Sequence, residues 1–190
     1  MNFIKYIFLF LSVANLLAQE NTEKQFFSDL FKNRISKVIY SENRFYDLNE
    51  LKNTINQAKV VYKMQLENSP IILLDSLFFT NQELEIVFNK IMSSNDTHWA
   101  KNSILNGKYI PRKKIDKIFN EPSKGWDYFH KIYGKDLFSF SKPVFIRNNS
   151  VCFFYESNGN GNLGGSGSFD IYIKQNGKWI FFNSLRMWIS

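Results

Sequence analysis

The chain has 190 residues, 44% of them hydrophobic and 17% aromatic, and a formal net charge of +7. Such a length and composition exclude a disordered chain and a miniature domain that depends on disulfides or a metal ion, so the sequence predicts one globular domain with its own core. The basic residues are scattered and their densest run is Arg112-Lys113-Lys114. This excludes the concentrated basic stripe of a nucleic-acid-binding protein, and we expect no nucleic-acid partner.

Residues 1–18 have the pattern of a secretory signal peptide. Lys5 supplies the positive charge, Tyr6 to Leu17 form the apolar segment, and cleavage is predicted after Ala18. The apolar segment is shorter than the ~20 residues that a membrane-spanning helix needs. The sequence therefore predicts export to the periplasm or the extracellular space, no transmembrane span after signal removal, and a single domain over 19–190.

The first predicted elements are helices. From Glu23 to Val38, apolar residues recur three and four positions apart, which is typical of an amphipathic helix on a core. Asp47 and Glu50 predict a capping box at the start of a second helix that runs to about residue 58. Residues 59–66 fit either a helix or a strand, and we favour the strand.

Three more helices are predicted before the strands begin. Thr80 and Glu83 form a second predicted capping box, and a looser segment after that helix closes at Gly107. Pro111 and Pro122 each suit the first turn of a helix, because a missing N–H costs nothing there. The last two predicted helices cover 111–119 and 122–133.

Over about 138–190 the apolar period changes from 3.6 to 2, which predicts a β-meander. Val151 to Glu156 is a nearly continuous apolar run, so we expect a central strand covered on both faces. Asn176-Gly177 predicts a tight hairpin, since both residues accept positive φ. A helical part over about 19–134 followed by this antiparallel meander predicts an α+β fold with the helices packed on one face of the sheet.

Several motifs follow one another over roughly 70–190: Thr-x-x-Glu before a helix, Gly-Trp-x-x-Phe-x-x-x-Tyr at 125–133, Phe-Ser-x-Pro-x-Phe at 140–145, the Gly-rich loop, Lys-Trp at 178–179 and the closing Trp-Ile-Ser. In this succession the chain resembles an uncharacterised family of small exported bacterial proteins that is common in Bacteroidetes-like organisms. In that family the loop often reads Cys-Gly-x-Leu-Cys-Gly-x-Gly. Here Asn160 and Gly164 replace the two cysteines, so the resemblance implies a fold and no thiol chemistry.

Residues 159–164 match G-x-G-x-x-G, the pattern of a dinucleotide-binding turn. That turn joins a strand to a helix, whereas here strand leads to strand, so we predict a hairpin loop whose Gly and Asn residues accept positive φ. Its backbone N–H groups are candidates for an anion-binding nest. The candidate binding residues are Asn160, Gly161, Gly164, Gly165 and Gly167, with Tyr155 and Tyr172.

The candidate catalytic residues are Cys152, the only cysteine, and His130, one of two histidines. Cys152 lies in an apolar strand, where a thiol is usually inert, and His130 shares a helical face with Trp126, so packing is the preferred interpretation for both. No disulfide, metal site or cofactor is predicted. Glu156 and Asp170 flank the loop and are interpreted as surface charges or ladder partners.

The sequence thus favours an exported, non-enzymatic domain that binds a protein, peptide or glycan at the end of the sheet that carries the Gly-rich loop. Trp126, Trp179 and Trp188 would supply aromatic surface there, although aromatic residues in strands more often pack against helices. The alternatives are a small hydrolase that uses Cys152 or His130, and a structural protein of the envelope. The oligomeric state is left open.

Overall fold

The computed structural model describes residues 20–33, 37–42, 47–64, 75–94, 98–99, 103–104, 106–162 and 164–190. The predicted signal peptide over 1–18 therefore lies outside the described residues. Within them the chain is an α+β fold, as predicted, with helices and a mixed sheet whose C-terminal strands are antiparallel. No described helix has the length and apolar character needed to cross a membrane.

The described elements alternate between helix and strand until residue 132 and are strands thereafter. The helices are α1 (20–31), α2 (Leu48–Gln57), α3 (Asn81–Ser94), α4 (Arg112–Phe119) and α5 (Gly125–Ile132). The strands are β1 (Val38–Glu42), β2 (Val60–Tyr62), β3 (Ser76–Phe78), β4 (Gly107–Tyr109), β5 (Leu137–Phe140), β6 (Val144–Ile146), β7 (Val151–Gly159), β8 (Gly165–Gln175) and β9 (Lys178–Ile189).

Seven strands form one sheet in the order β4-β1-β5-β7-β8-β9, and β6 also pairs with β7. Strand β1 is parallel to both β4 and β5, while β5, β6, β7, β8 and β9 pair in antiparallel fashion. Strands β2 and β3 form a separate two-stranded sheet. The predicted meander is therefore confirmed, and it is extended at β5 by a parallel pair.

Two strands, β1 and β4, replace what the sequence predicts as helix and loop. Val38 begins β1 and does not end a helix, and all five residues of β1 are buried. A parallel strand covered on both faces lacks the alternation that identifies a strand in a sequence. Gly107 begins β4, where a Cβ atom would lie 2.8 Å from Cε1 of Tyr40, so glycine allows β4 to approach β1.

The helices pack on both faces of the sheet, so the prediction of a single covered face is wrong. We call face A the face that carries Val151, Phe153, Phe169 and Ile171, and face B the face that carries Cys152, Phe154 and Tyr172, because successive strand residues point to opposite sides. Helices α2 and α3 pack on face A, and α4 and α5 cover face A around Ile39 and Leu137. Helix α1 alone covers face B among the described helices.

The predicted helix starts are largely confirmed. The N–H of Glu83 donates to Oγ1 of Thr80 over 3.1 Å and the N–H of Thr80 donates to Oε2 of Glu83 over 2.9 Å, which completes that capping box. Asp47 accepts from the N–H of Glu50 over 2.9 Å, but the Glu50 carboxylate binds Arg186 on β9. Helix α2 ends at Gln57 and β2 follows, as favoured.

The last two helices follow their predicted prolines with small shifts. Pro111 is the residue before α4, which then runs from Arg112 to Phe119. Helix α5 begins at Gly125, three residues after Pro122, and Gly125 has a φ of 65°. In the meander, Asn176 and Gly177 both have positive φ, which confirms the predicted hairpin turn.

Candidate functional site

An open pocket of about 210 Å³ lies on face B at the end of the sheet that carries the Gly-rich hairpin. Helix α1 covers face B as far as Phe154, and beyond that point the sheet continues without a described helix on this face. We name this cavity the sheet-end pocket. The side chains that line it on face B are Phe138, Glu156, Asn158, Ser166, Ser168, Met187 and Ile189.

Strand register brings these side chains together from four strands. Across β7, β8 and β9, Glu156 is opposite Ser168, and Ser168 is opposite Met187. Two residues further along the strands, a second row of opposite residues on the same face consists of Phe138, Asn158, Ser166 and Ile189. We call each such row a rung. Because opposite residues in an antiparallel pair share a face, the two rungs form the walls of one pocket, and the backbone between them forms its floor.

The polar side chains of the pocket are held in place by hydrogen bonds within the sheet. Ser166 donates its hydroxyl proton to Oδ1 of Asn158 over 2.7 Å, and Ser168 donates to Oδ2 of Asp170 over 2.8 Å. Within the described part, the side-chain N–H groups of Asn158 donate no hydrogen bond. The pocket thus offers a fixed amide donor, two serine oxygens as acceptors and the carboxylate of Glu156 beside it.

Asp170 follows Ser168 by two residues on β8, opposite Phe154, and is only 4% exposed. Its carboxylate accepts hydrogen bonds from Ser168 and from Ser184, on β9. Burial raises the pKa of Asp170, and these hydroxyl groups partly oppose the rise. Of the two carboxylates that flank the hairpin, Glu156 lines the pocket, whereas Asp170 is buried and holds the hydroxyl groups of Ser168 and Ser184. Asp170 is therefore not a surface charge.

The glycines of the hairpin have a packing role on face A. A Cβ atom on Gly159 would lie 3.2 Å from the Trp126 ring, and one on Gly167 would lie 2.4 Å from Nε1 of Trp188. Among the described glycines, those with positive φ are Gly125, Gly134 and Gly177, all outside this hairpin. The prediction that the hairpin glycines serve positive φ is therefore wrong for the described residues, and Gly159 and Gly167 instead make room for two tryptophan rings.

The remaining loop candidates form the short turn between β7 and β8. Asn160 donates its backbone N–H to the carbonyl of Gly164 over 3.1 Å, and the N–H of Gly165 donates to the carbonyl of Ser190 over 3.4 Å. These two donors are used within the protein and do not point at a common anion. Gly161 has open space around it.

The two tyrosine candidates lie on opposite faces of the sheet. Tyr155 is on face A, where its hydroxyl oxygen accepts from Nε1 of Trp188 over 3.1 Å. Tyr172 is only 6% exposed and packs against Phe26 under α1. Trp179 is also buried under α1, so the predicted aromatic residues do not line one groove.

The two catalytic candidates are separated by the sheet. Cys152 has no exposed surface, lies on face B under α1, and burial raises the pKa of its thiol well above the ordinary value. His130 belongs to α5 on the face A side, with its ring 5.5 Å from that of Trp126. Its Nε2 atom is buried and has no hydrogen-bond partner among the described residues. The structure thus does not bring a thiol and an imidazole together.

We predict that the Cys152 thiol is inert in the folded protein. A disulfide reagent such as Ellman's reagent should release no thiolate absorbance from the native protein and one equivalent per chain after unfolding, because the only cysteine is fully buried. The native and unfolded Cys152→Ala variant controls for background. Rapid reaction of the native protein would contradict the burial of Cys152 and restore the thiol hydrolase as a candidate.

A cluster of Glu42, Tyr109 and His98 was missed by sequence reasoning. Glu42 is 4% exposed and accepts hydrogen bonds from the Tyr109 hydroxyl over 2.8 Å and from the N–H of Arg112 over 3.0 Å. Burial acts to raise the pKa of Glu42, but the hydrogen bonds from Arg112 and Tyr109 outweigh it and lower that pKa. Because Pro111 supplies no side-chain cap to α4, Glu42 caps that helix from β1, and the cluster is explained by the fold.

A second groove of about 530 Å³ lies between α2 and α3. Its lining includes Lys52 on α2, Lys59 in the turn after α2, and Asn89 on α3. Lys52 lies over the Phe88 ring with Nζ 5.6 Å from the ring centre. Long lysine side chains on exposed helices cover apolar surface in this way without a ligand. The groove therefore serves best as a comparison site for the sheet-end pocket.

The described ranges contain no group of three or more His, Cys, Asp or Glu side chains that could hold a metal ion. Comparisons with known proteins add no function: the chain matches no protein-family model, no curated protein and no solved structure. The resemblance to small exported bacterial proteins therefore stays a prediction. The sheet-end pocket is the candidate functional site on the geometry alone.

Proposed function

We propose that this chain is an exported, non-enzymatic domain that binds a peptide or a glycan in the sheet-end pocket. The observation that carries the proposal is the combination of ordered hydrogen-bonding groups with exposed apolar side chains in one cavity. Met187 is 65% exposed and Ile189 is 88% exposed, and both lie among the exposed last four residues of β9. Exposed apolar surface beside oriented polar groups is characteristic of a binding site.

The separation of Cys152 from His130 supports binding over hydrolysis. Covalent catalysis requires a nucleophile within hydrogen-bonding reach of a base, and the sheet lies between these two residues. The polar groups in the pocket, Asn158, Ser166 and Ser168, are donors and acceptors that orient a ligand. Export is supported by the signal-peptide pattern of residues 1–18.

The size of the pocket limits what it can enclose. A volume of about 210 Å³ is below the range of ~300–1,000 Å³ that encloses a drug-sized ligand. A single amino-acid side chain or one sugar ring matches it better. We therefore place the rest of the ligand outside the pocket, along the sheet.

A pocket-filling substitution tests the proposal. The purified protein is screened against a phage-displayed library of random peptides and against a glycan microarray, and any ligand is measured again with Ser166→Trp. Because an indole at position 166 occupies the cavity, we expect at least about a tenfold loss of affinity, or ~1.4 kcal/mol. The matched control is Asn89→Trp, which places the same ring in the groove between α2 and α3 and should leave the affinity unchanged.

Two outcomes would reject the proposed site. One is that neither screen yields a ligand, and the other is that Ser166→Trp binds every ligand as tightly as the unaltered protein. Circular dichroism of both variants shows whether the fold is kept. A loss of affinity in Asn89→Trp alone would move the site to the helical groove.

A further inference from the structure

We propose that the ligand is an extended peptide that adds as a new strand to the open edge of β9. This inference rests on the proposed function, because it uses the same pocket, and it names the class of ligand and how it is held. The peptide would place apolar side chains against Met187 and Ile189 at the rim of the sheet-end pocket. Three features of β9 lead to this assignment.

The first feature is that β9 is the last strand in the sheet order, and the described backbone hydrogen bond on its outer side is made in its first half. Met64 donates its backbone N–H to the carbonyl of Phe182 over 2.9 Å, and the Asn183 side chain donates to the carbonyl of Tyr62. The segment is antiparallel to β9, and its described hydrogen bonds reach Phe182 and Asn183 but none of the residues from Ser184 to Ser190.

The second feature is the direction of the backbone groups in the second half of β9. Gly165 and Ser190 exchange both backbone hydrogen bonds, over 2.9 and 3.4 Å, so they are a hydrogen-bonded pair of the ladder. In an antiparallel ladder such pairs alternate with pairs whose N–H and C=O groups point outward. Trp188 therefore bonds inward to β8, and the backbone groups of Met187 and Ile189 point to the open edge. No described residue bonds to them.

The third feature is that the same two residues carry the exposed apolar side chains. Met187 and Ile189 are opposite Ser168 and Ser166, on face B. A strand that bonds to their backbone groups brings its own face B side chains next to them, since directly opposite side chains on neighbouring strands are ~5 Å apart. One segment thus satisfies the open backbone groups and covers the apolar rim.

The short length of this edge favours a peptide over a second copy of the chain. From Arg186 to Ile189, where β9 ends, the edge extends ~14 Å at ~3.4 Å per residue. A stable dimer normally buries ~800 Å² on each partner, more than one such stretch provides, whereas strand addition by a peptide uses an edge of this length. Because the charge of Arg186 is already paired with Glu50, the side chains that remain for a ligand on face B are those of Met187 and Ile189. We therefore expect this edge to recognise a peptide with apolar residues at alternate positions.

Hydrogen exchange measured by NMR tests the inference in two stages. In the free protein, the amides of Met187 and Ile189 should exchange much faster than that of Trp188, because only Trp188 bonds to β8. The probe is a short blocked peptide of alternating threonine and valine. Its addition at about 1 mM should slow exchange of the Met187 and Ile189 amides by at least about tenfold and leave that of Trp188 unchanged.

Two substitutions separate backbone pairing from side-chain contact. Met187→Pro removes an outward N–H that takes no part in the β8–β9 ladder, so it should weaken binding of the probe by about tenfold while the fold is kept. Met187→Leu keeps the N–H and an apolar side chain, so it should retain most of the affinity that Met187→Pro loses. The indole signal of Trp188 reports whether β9 is intact in both.

Each contrary result overturns strand addition. Met187 and Ile189 amides already protected in the free protein would mean that the edge is covered by this chain or by a second copy. Absence of binding at about 1 mM, or binding without new protection, would also overturn it. A glycan that shifts the signals of Asn158 and Ser166 but leaves the Met187 and Ile189 amides unprotected would keep the proposed function and overturn the peptide.

Discussion

Replacing Phe26 by alanine is expected to destabilise the protein by about 3–5 kcal/mol. Phe26 has no exposed surface and lies on α1 against face B. Its ring is within 6 Å of the centroids of five other aromatic rings, those of Phe27, Phe145, Phe154, Tyr172 and Trp179. Removing it opens a cavity under the only described helix on that face, and the surrounding rings cannot collapse into it without losing their own contacts.

Urea denaturation followed by circular dichroism measures this loss. Phe78→Ala is the matched control, because it deletes the same side chain where it is 65% exposed, on β3. We expect the control to lie within about 0.5 kcal/mol of the unaltered protein. Equal effects of the two substitutions would contradict the assignment of α1 to the core of face B.

Gly167→Ala is expected to displace the Trp188 ring and to cost about 1–3 kcal/mol of stability. The added Cβ atom would lie 2.4 Å from Nε1 of Trp188 and 2.7 Å from its Cε2, closer than non-bonded atoms approach. The ring must therefore move, and the hydrogen bond from Nε1 to the Tyr155 hydroxyl breaks with it. Denaturation gives the stability, and the indole N–H resonance of Trp188 reports the movement.

Gly161→Ala provides the control for Gly167→Ala. A Cβ atom on Gly161 meets no heavy atom within 4 Å, and Gly161 is not among the described glycines of positive φ. Its stability should be unchanged or slightly higher, since alanine restricts the unfolded chain. If both substitutions leave the Trp188 resonance in place, the glycine pattern is a feature of the turn after all.

The meander was predictable because its signals are local. Asn176 and Gly177 specify a tight turn through their own backbone preferences, and the apolar run from Val151 to Phe154 is long enough to require cover on both faces. The same holds for the capping box at Thr80, whose two partners are three residues apart. In each case the interaction that decides the structure lies within a few residues.

Strands β1 and β4 were not predictable because their pairing is distant in the sequence. Tyr40 on β1 is opposite Phe138 on β5 and, on its other side, opposite Tyr109 on β4. No local turn in the sequence predicts either pairing. Complete burial removes the alternation of β1, so its apolar residues continue the helical pattern that precedes them. The choice between helix and strand was made by tertiary contacts.

The sheet-end pocket needed the register of four strands, which no single segment contains. Serine at 166 and 168 and methionine at 187 are unremarkable in the sequence, and they form a site only because β8 places them opposite β7 and β9. The glycines attracted attention as a nucleotide pattern. Gly159 and Gly167 pack against Trp126 and Trp188, which lie more than twenty residues away in the chain, so this packing role could not be inferred.

The position of α1 has a consequence for how this protein is made. Asp29 on α1 accepts a hydrogen bond from the backbone N–H of Trp179, and Gln25 donates to the carbonyl of Gly177, so the first described helix is held by one of the last turns. A ribosome completes these partners about 150 residues after the helix itself. The apolar stripe of α1 therefore stays uncovered on the nascent chain until the turn between β8 and β9 has been synthesised, and face B cannot close before that point.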